Sequence, residues 1–86
     1  MDQGLAAVVQ HLPHRRRAIM ELAMRSESFR SLCADVVDAE RALQRWKQTD
    51  TPISRARSDE YMALIEGLLN EVELALATDI QADLKP

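Results

Sequence analysis

Two histidines near the start of the sequence have a spacing found among metal ligands. His11 and His14 lie three residues apart, so on one helix their imidazoles could share a face and bind a zinc ion. Pro13 stands between them, however, and no nearby Cys, Asp or Glu supplies a third or fourth ligand. We therefore expect both histidines to be exposed residues at a helix start, and we expect neither a metal nor another cofactor.

Cys33 is the only cysteine, and its thiolate would be a strong nucleophile. A catalytic thiol needs a neighbouring base, and the two histidines belong to the separate N-terminal segment. Cys33 lies instead in an apolar stripe between Phe29 and Val37, where a thiol usually packs as a small hydrophobic side chain. We therefore expect a core residue here.

Several carboxylates occur in pairs, such as Asp35 with Asp38 and Glu66 with Glu73, and paired carboxylates can perform acid and base chemistry. Such chemistry needs a concave, partly desolvated setting that shifts their pKa values. A narrow bundle of helices with three aromatic residues offers little of that setting. The pairs are therefore expected on a solvated face, and the protein is not expected to be an enzyme.

Three consecutive arginines, Arg15, Arg16 and Arg17, stand at the start of a predicted helix, where the helix dipole favours acidic groups. This local cost suggests that they are kept for a partner. The acidic last helix of a neighbouring chain, an external protein, nucleic acid and anionic membrane all remain open. A net charge of -3 and the lack of interleaved aromatic residues make nucleic acid and membrane unlikely partners.

The composition indicates one small all-α domain. The chain has 86 residues, 47% of them hydrophobic, and the apolar side chains are mainly aliphatic, which favours packed helices. A core of this size is near the minimum for independent stability, so association with a further chain is expected. Residues 1–30 carry five arginines and three acidic residues, whereas residues 59–86 carry seven acidic residues and one lysine, so these parts should attract each other within or between chains.

Helical periodicity and helix-breaking residues divide the chain into six segments. Ser26 and Ser28 are good N-cap residues and predict a break before the longest helix. The predicted segments are an N-terminal extension over 1–12, a short helix over 13–25, a long helix over 27–47, a loop over 48–54, a last helix over 55–77 and a frayed tail over 78–86.

The two longest helices should form an antiparallel hairpin, because the loop between them is short. Either the N-terminal helix completes a three-helix bundle, or two hairpins pair into a dimeric four-helix bundle, and both can hold at once. The extension is expected to pack within a dimer. Leu64 and Leu74 fall outside the apolar stripe and indicate a second contact surface. The residues predicted to carry the packing are Phe29, Leu32, Val36, Leu43, Trp46, Tyr61, Ile65, Leu69 and Val72.

Trp46, at the predicted hairpin tip between Arg45 and Lys47, is either an anchor for a contact between chains or a cap on the end of the core.

Residues 14–77 combine a short helix, a capped break, a long helix, a loop and a last helix with the helix-packing residues Phe29, Leu32, Leu43, Leu68, Glu71 and Val72. In this order of helices and in these residues the chain resembles the YdcH-like family of small bacterial proteins. The chain differs from that pattern in its extension over 1–12, in Trp46 and in its longer loop. The resemblance implies short helical hairpins that associate through their apolar faces, and it implies no reaction.

The sequence thus predicts a non-enzymatic assembly or adaptor module that acts through apolar helix faces. A homodimer is the favoured state, with another helical protein as a further partner. The alternative function is a regulatory binder of nucleic acid or anionic membrane through Arg15–Arg17. A cytoplasmic location is expected, because a single cysteine suits a reducing compartment and the apolar run Leu5–Val9 is too short for a signal peptide.

Overall fold

The computed structural model describes residues 2–84, with side chains described through Asp79. Residues 2–84 form no strand, which confirms the all-α prediction. The elements are α1 (Gln3–His11), a 3-10 turn (Pro13–Arg15), α2 (Arg16–Arg25), α3 (Glu27–Lys47) and α4 (Pro52–Leu84).

The predicted extension folds as helix α1, and its start is fixed by Asp2. The Asp2 Oδ1 atom accepts hydrogen bonds from the backbone N–H of Gly4 at 2.6 Å and of Leu5 at 3.3 Å, so two of the unpaired N–H groups of the first turn are satisfied. Helix α1 packs against α3 of its own chain.

The break between α2 and α3 lies at Ser26, as the sequence predicts. Ser26 has an extended backbone conformation, and its Oγ accepts from the backbone N–H of Phe29 at 3.1 Å. Glu27 follows in the first turn of α3, where its charge suits the helix dipole.

Helix α4 is longer than predicted at both ends. It begins at Pro52 rather than at residue 55, because Thr51 and Ser54 cap its first turn: the backbone N–H of each donates a hydrogen bond to the side-chain hydroxyl of the other. At the other end it continues to Leu84, seven residues past the predicted end at residue 77, while 85 and 86 lie outside the described residues. The fraying expected over 78–86 stays a prediction. Leu76 is buried and Asp79 forms an ion pair with α2, so contacts hold this helix past residue 77.

Helices α3 and α4 form an antiparallel hairpin, and α1 and α2 cover part of it. One core cluster joins all four helices around Val8, Ile19, Val36 and Val72, and a smaller cluster joins Ala39, Leu43 and Ile65 toward the tip of the hairpin. Among the residues predicted to pack, Phe29, Val36, Leu43, Ile65 and Val72 are buried, and Leu32, Trp46, Tyr61 and Leu69 are half-buried.

Over the described residues, every helix is too short or too polar to cross a bilayer.

Candidate functional site: the groove between α3 and α4

The two histidines do not come together as metal ligands. The His11 Nε2 atom lies 3.0 Å from the Glu40 Oε1 atom on α3, so this imidazole ties α1 to α3. His14 is exposed in the 3-10 turn. The described part of the chain contains no group of three or more His, Cys, Asp or Glu side chains arranged to hold a metal ion.

Cys33 is fully buried in the main core. Burial, together with the nearby Asp2 carboxylate, raises the pKa of its thiol to about 11. Both causes penalise the thiolate, the form that nucleophilic chemistry requires. The structure therefore gives Cys33 the properties of an inert packing residue.

The arginine cluster is only partly free of partners. Arg17 pairs with Glu21 one turn later, with 3.1 Å between the Nε and Oε1 atoms, and both side chains are largely exposed. Arg15 is half-buried, and Arg16 is exposed. Glu66, Glu71 and Glu73, which belong to the acidic last helix expected as a partner for this cluster, are exposed on α4.

The expected attraction between the basic residues 1–30 and the acidic residues 59–86 occurs between α2 and α4. Arg25, the last residue of α2, donates from Nη2 to the Asp79 Oδ2 atom on α4 at 2.6 Å. This contact lies within one chain and links α2 to the late turns of α4.

The candidate functional site is a groove between α3 and α4, which we call the α3–α4 groove. It has a volume of about 430 Å³, and all of its lining residues belong to these two helices. They are Ala39, Ala42, Tyr61, Leu64 and Leu68 on the apolar floor, with Asp35, Asp38 and Arg45 along the α3 edge.

The groove continues toward the tip of the hairpin, where Trp46 lies. A neighbouring concavity is lined by Trp46, Arg57, Glu60, Tyr61 and Leu64, so Tyr61 and Leu64 belong to both. Trp46 is half-buried. Its indole therefore lines the concavity next to the groove and keeps an accessible surface.

Helix α1 lies on a different side of α3 from the groove. Gly4 of α1 sits directly on the backbone of Cys33 and Ala34. Val37, one turn after Cys33, faces the same way, and Ala39 lies about 160° further round the helix. The hairpin is thus covered on one side and open along the α3–α4 groove.

The charged residues at the α3 edge make no ion pair among the side chains that the structure describes. Asp35, Asp38 and Arg45 are exposed and form no ion pair or side-chain hydrogen bond with any residue whose side chain is described. Their charges are therefore available to a molecule that enters the groove.

Sequence reasoning identified part of this groove. Leu64 fell outside the predicted stripe, and its side chain is indeed 48% exposed, as is that of Leu74 at 66%. Ala42 was missed, because a short side chain gives no apolar signal of its own. The signal that could have found it is the row at 35, 38, 42 and 45, which has its own heptad spacing.

The geometry defines a small helical bundle with an open apolar groove. Comparison of the chain with protein-family models, curated proteins and solved structures gives no match. The resemblance to the YdcH-like family therefore stays a prediction.

Proposed function

We propose that this protein is a non-enzymatic assembly or adaptor module that binds a helix in the α3–α4 groove. The observation that carries the proposal is the groove itself, an apolar floor between two long helices with charges along one edge that have no ion-pair partner among the described side chains. A helix that lays its apolar face in a groove uses this combination, since the floor gives affinity and the charged edge sets orientation.

The side chains with reactive chemistry support an assembly role. The Cys33 thiol is buried with a raised pKa, and the His11 imidazole is engaged with Glu40. Both residues hold α1 and α3 together. The proposal includes a cytoplasmic location, which the single free and buried cysteine supports.

A photo-crosslinking amino acid at position 64 tests whether the groove is occupied in cells. The full chain is expressed in its native host with this residue in place of Leu64, which lies on the floor of the groove. The control position is Glu73, which is exposed on α4. It lies nine residues after Leu64 and therefore on the opposite side of the helix.

We expect a covalent adduct with a helical protein from position 64 and none from position 73. Because the two positions share one helix, a difference between them reports on the groove and not on overall expression. Equal adducts from both positions, or none from position 64, would overturn the proposal.

A further inference from the structure

The edge of α3 along the groove carries opposite charges on the two sides of a small residue. Asp35, Asp38, Ala42 and Arg45 follow one another at spacings of three and four, so they form one row along the helix. Asp38 lies four residues before Ala42, and Arg45 lies three residues after it. When two such helices cross antiparallel at Ala42, each Asp38 comes opposite the other Arg45 within about 1.5 Å along the axis.

The neighbouring edge of α4 also carries opposite charges on the two sides of one residue, which here is Leu64. Arg57, Glu60, Leu64, Gly67 and Glu71 form a row with the same spacing, and all five are exposed. Arg57 and Glu71 each lie seven residues from Leu64, about 10.5 Å along the axis. Two α4 helices that cross antiparallel at Leu64 therefore bring each Arg57 opposite the other Glu71.

The two centres lie close together along the molecule. Ala42 and Leu64 line the same groove from opposite helices, and Leu43 and Ile65, one residue after each of them, belong to the same core cluster. One two-fold axis, perpendicular to the helices, can therefore pass close to both residues. The charges of α3 and of α4 become complementary in one and the same arrangement.

We infer that the occupant of the α3–α4 groove is a second copy of this chain, packed antiparallel about Ala42 and Leu64. The inference rests on the proposed function and names its partner. Each copy presents the same patch to the other, as a two-fold interface requires. The exposed Leu64 side chains meet at the centre of the α4 contact. Ala42 is only 5% exposed and adds no bulk beyond the α3 surface, so the exposed Asp38 and Arg45 side chains on either side of it make the α3 contacts.

The Arg57 side chain can take part although it already has a partner. Its Nη1 atom donates to the Glu60 Oε2 atom at 2.9 Å, in an ion pair whose side chains are both more than half exposed. A guanidinium has five N–H donors, so it can bind Glu71 of a second copy while it keeps Glu60.

The other face-to-face arrangement is less favoured by charge. With a two-fold axis parallel to the helices, α3 would pack on α4 of the second copy. Each part of α3 would then lie opposite the same part of α4 that it neighbours within its own chain. Asp35 and Asp38, which line the groove with Leu68, would then approach the part of α4 that carries Glu71. Arg45 would approach Glu60 in the same arrangement, so repulsion and attraction offset each other there. Every charge pair named for the axis perpendicular to the helices is attractive, so that axis is favoured.

Charge reversal tests the arrangement directly. Molar mass is measured across a dilution series for the wild-type chain, for Asp38→Arg, for Arg45→Asp and for an equimolar mixture of the two variants. We expect the wild type to reach twice its 9.7 kDa mass. Each variant alone faces like charges and should dimerise about tenfold or more weakly, whereas the mixture restores attraction and should form a heterodimer.

Glu73→Arg is the matched control, because it makes the same charge change as Asp38→Arg on the far side of α4 and should leave the dimer intact. Helicity by circular dichroism confirms that each variant is folded. A wild type that is monomeric at every concentration, or an Asp38→Arg chain that dimerises like the wild type, overturns the inference. A monomeric chain that still crosslinks a different protein from position 64 leaves the proposed function standing, whereas the absence of any adduct removes both.

Discussion

Gly4 of α1 lies directly on the backbone of Cys33 in α3. A Cβ atom placed on Gly4 would come within 2.8 Å of the carbonyl carbon and oxygen of Cys33 and of the backbone nitrogen of Ala34. Backbone atoms cannot move aside as the end of a flexible side chain can. The absent side chain of Gly4 is therefore what lets α1 pack closely on α3.

Replacing Gly4 with alanine should destabilise the fold. Overpacking costs about 1–3 kcal/mol, and the better helix propensity of alanine recovers up to about 1 kcal/mol of it. Urea unfolding at a concentration where the chain is monomeric measures the difference. Gly67→Ala is the control, because nothing lies within 4 Å of its added Cβ, and it should raise the free energy of unfolding. Equal effects of the two substitutions would contradict the close contact.

Cys33 should make the stability fall at alkaline pH. Its pKa is raised from 9.0 to about 11 in the folded chain by burial and by Asp2. Below pH 9 the thiol is protonated in both the folded and the unfolded chain, so its full contribution to the free energy of unfolding is present there. Between pH 9 and 11 the unfolded chain releases this proton while the folded chain retains it, so the free energy of unfolding decreases.

The comparison with Cys33→Ala isolates this effect. Urea midpoints of both chains are measured from pH 8 to pH 11, and the wild type should lose stability more steeply than the variant. Other groups that titrate in this range are common to both chains and cancel in the difference. Parallel curves would show that the thiol has the same pKa in the folded and unfolded states.

The hairpin could be predicted because its signal is repeated. Apolar residues recur every three or four positions in the segments that contain Val36 and Val72. The predicted long helix over 27–47 matches the bounds of α3. The close contact of Gly4 with Cys33 could not be predicted, since it depends on how two separate helices meet. The extent of α4 past residue 77 likewise depends on Asp79 and Arg25, which are 54 residues apart in the sequence.

Ser54 should be a strong stabilising residue at the start of α4. Its hydroxyl is buried, accepts from the Thr51 N–H at 2.8 Å and lies 2.8 Å from the Thr49 carbonyl oxygen. Ser54→Ala leaves these backbone groups without their partner, at a cost of about 1–2 kcal/mol. Ser31→Ala, at an exposed position within α3, should change the free energy of unfolding by only a few tenths of a kcal/mol. A neutral Ser54→Ala would show that water replaces the cap.

The ion pair between Arg25 and Asp79 should hold the late turns of α4. The Asp79 side chain is only 23% exposed, so its charge is less screened than that of an exposed surface pair. Asp79→Ala should lower the free energy of unfolding by about 0.5–1 kcal/mol and speed amide hydrogen exchange after residue 76. Asp50→Ala, which removes the largely exposed pair with Arg55, should do neither. Unchanged exchange in Asp79→Ala would show that apolar packing alone orders these turns.

The arginine cluster provides the test of the alternative function. Arg17 is already engaged with Glu21, so Arg15 and Arg16 are left as the cluster's remaining charges, and a phosphate track needs more. We expect titration with RNA, DNA and anionic vesicles to give no binding at physiological salt. At low salt, any association should be weak and should disappear as salt is added, both for the wild type and for a chain with Arg15, Arg16 and Arg17 all changed to serine. Binding that is strong, salt-sensitive and lost in that variant would favour nucleic acid or membrane over a helical partner, because it would assign the function to these arginines and not to the α3–α4 groove.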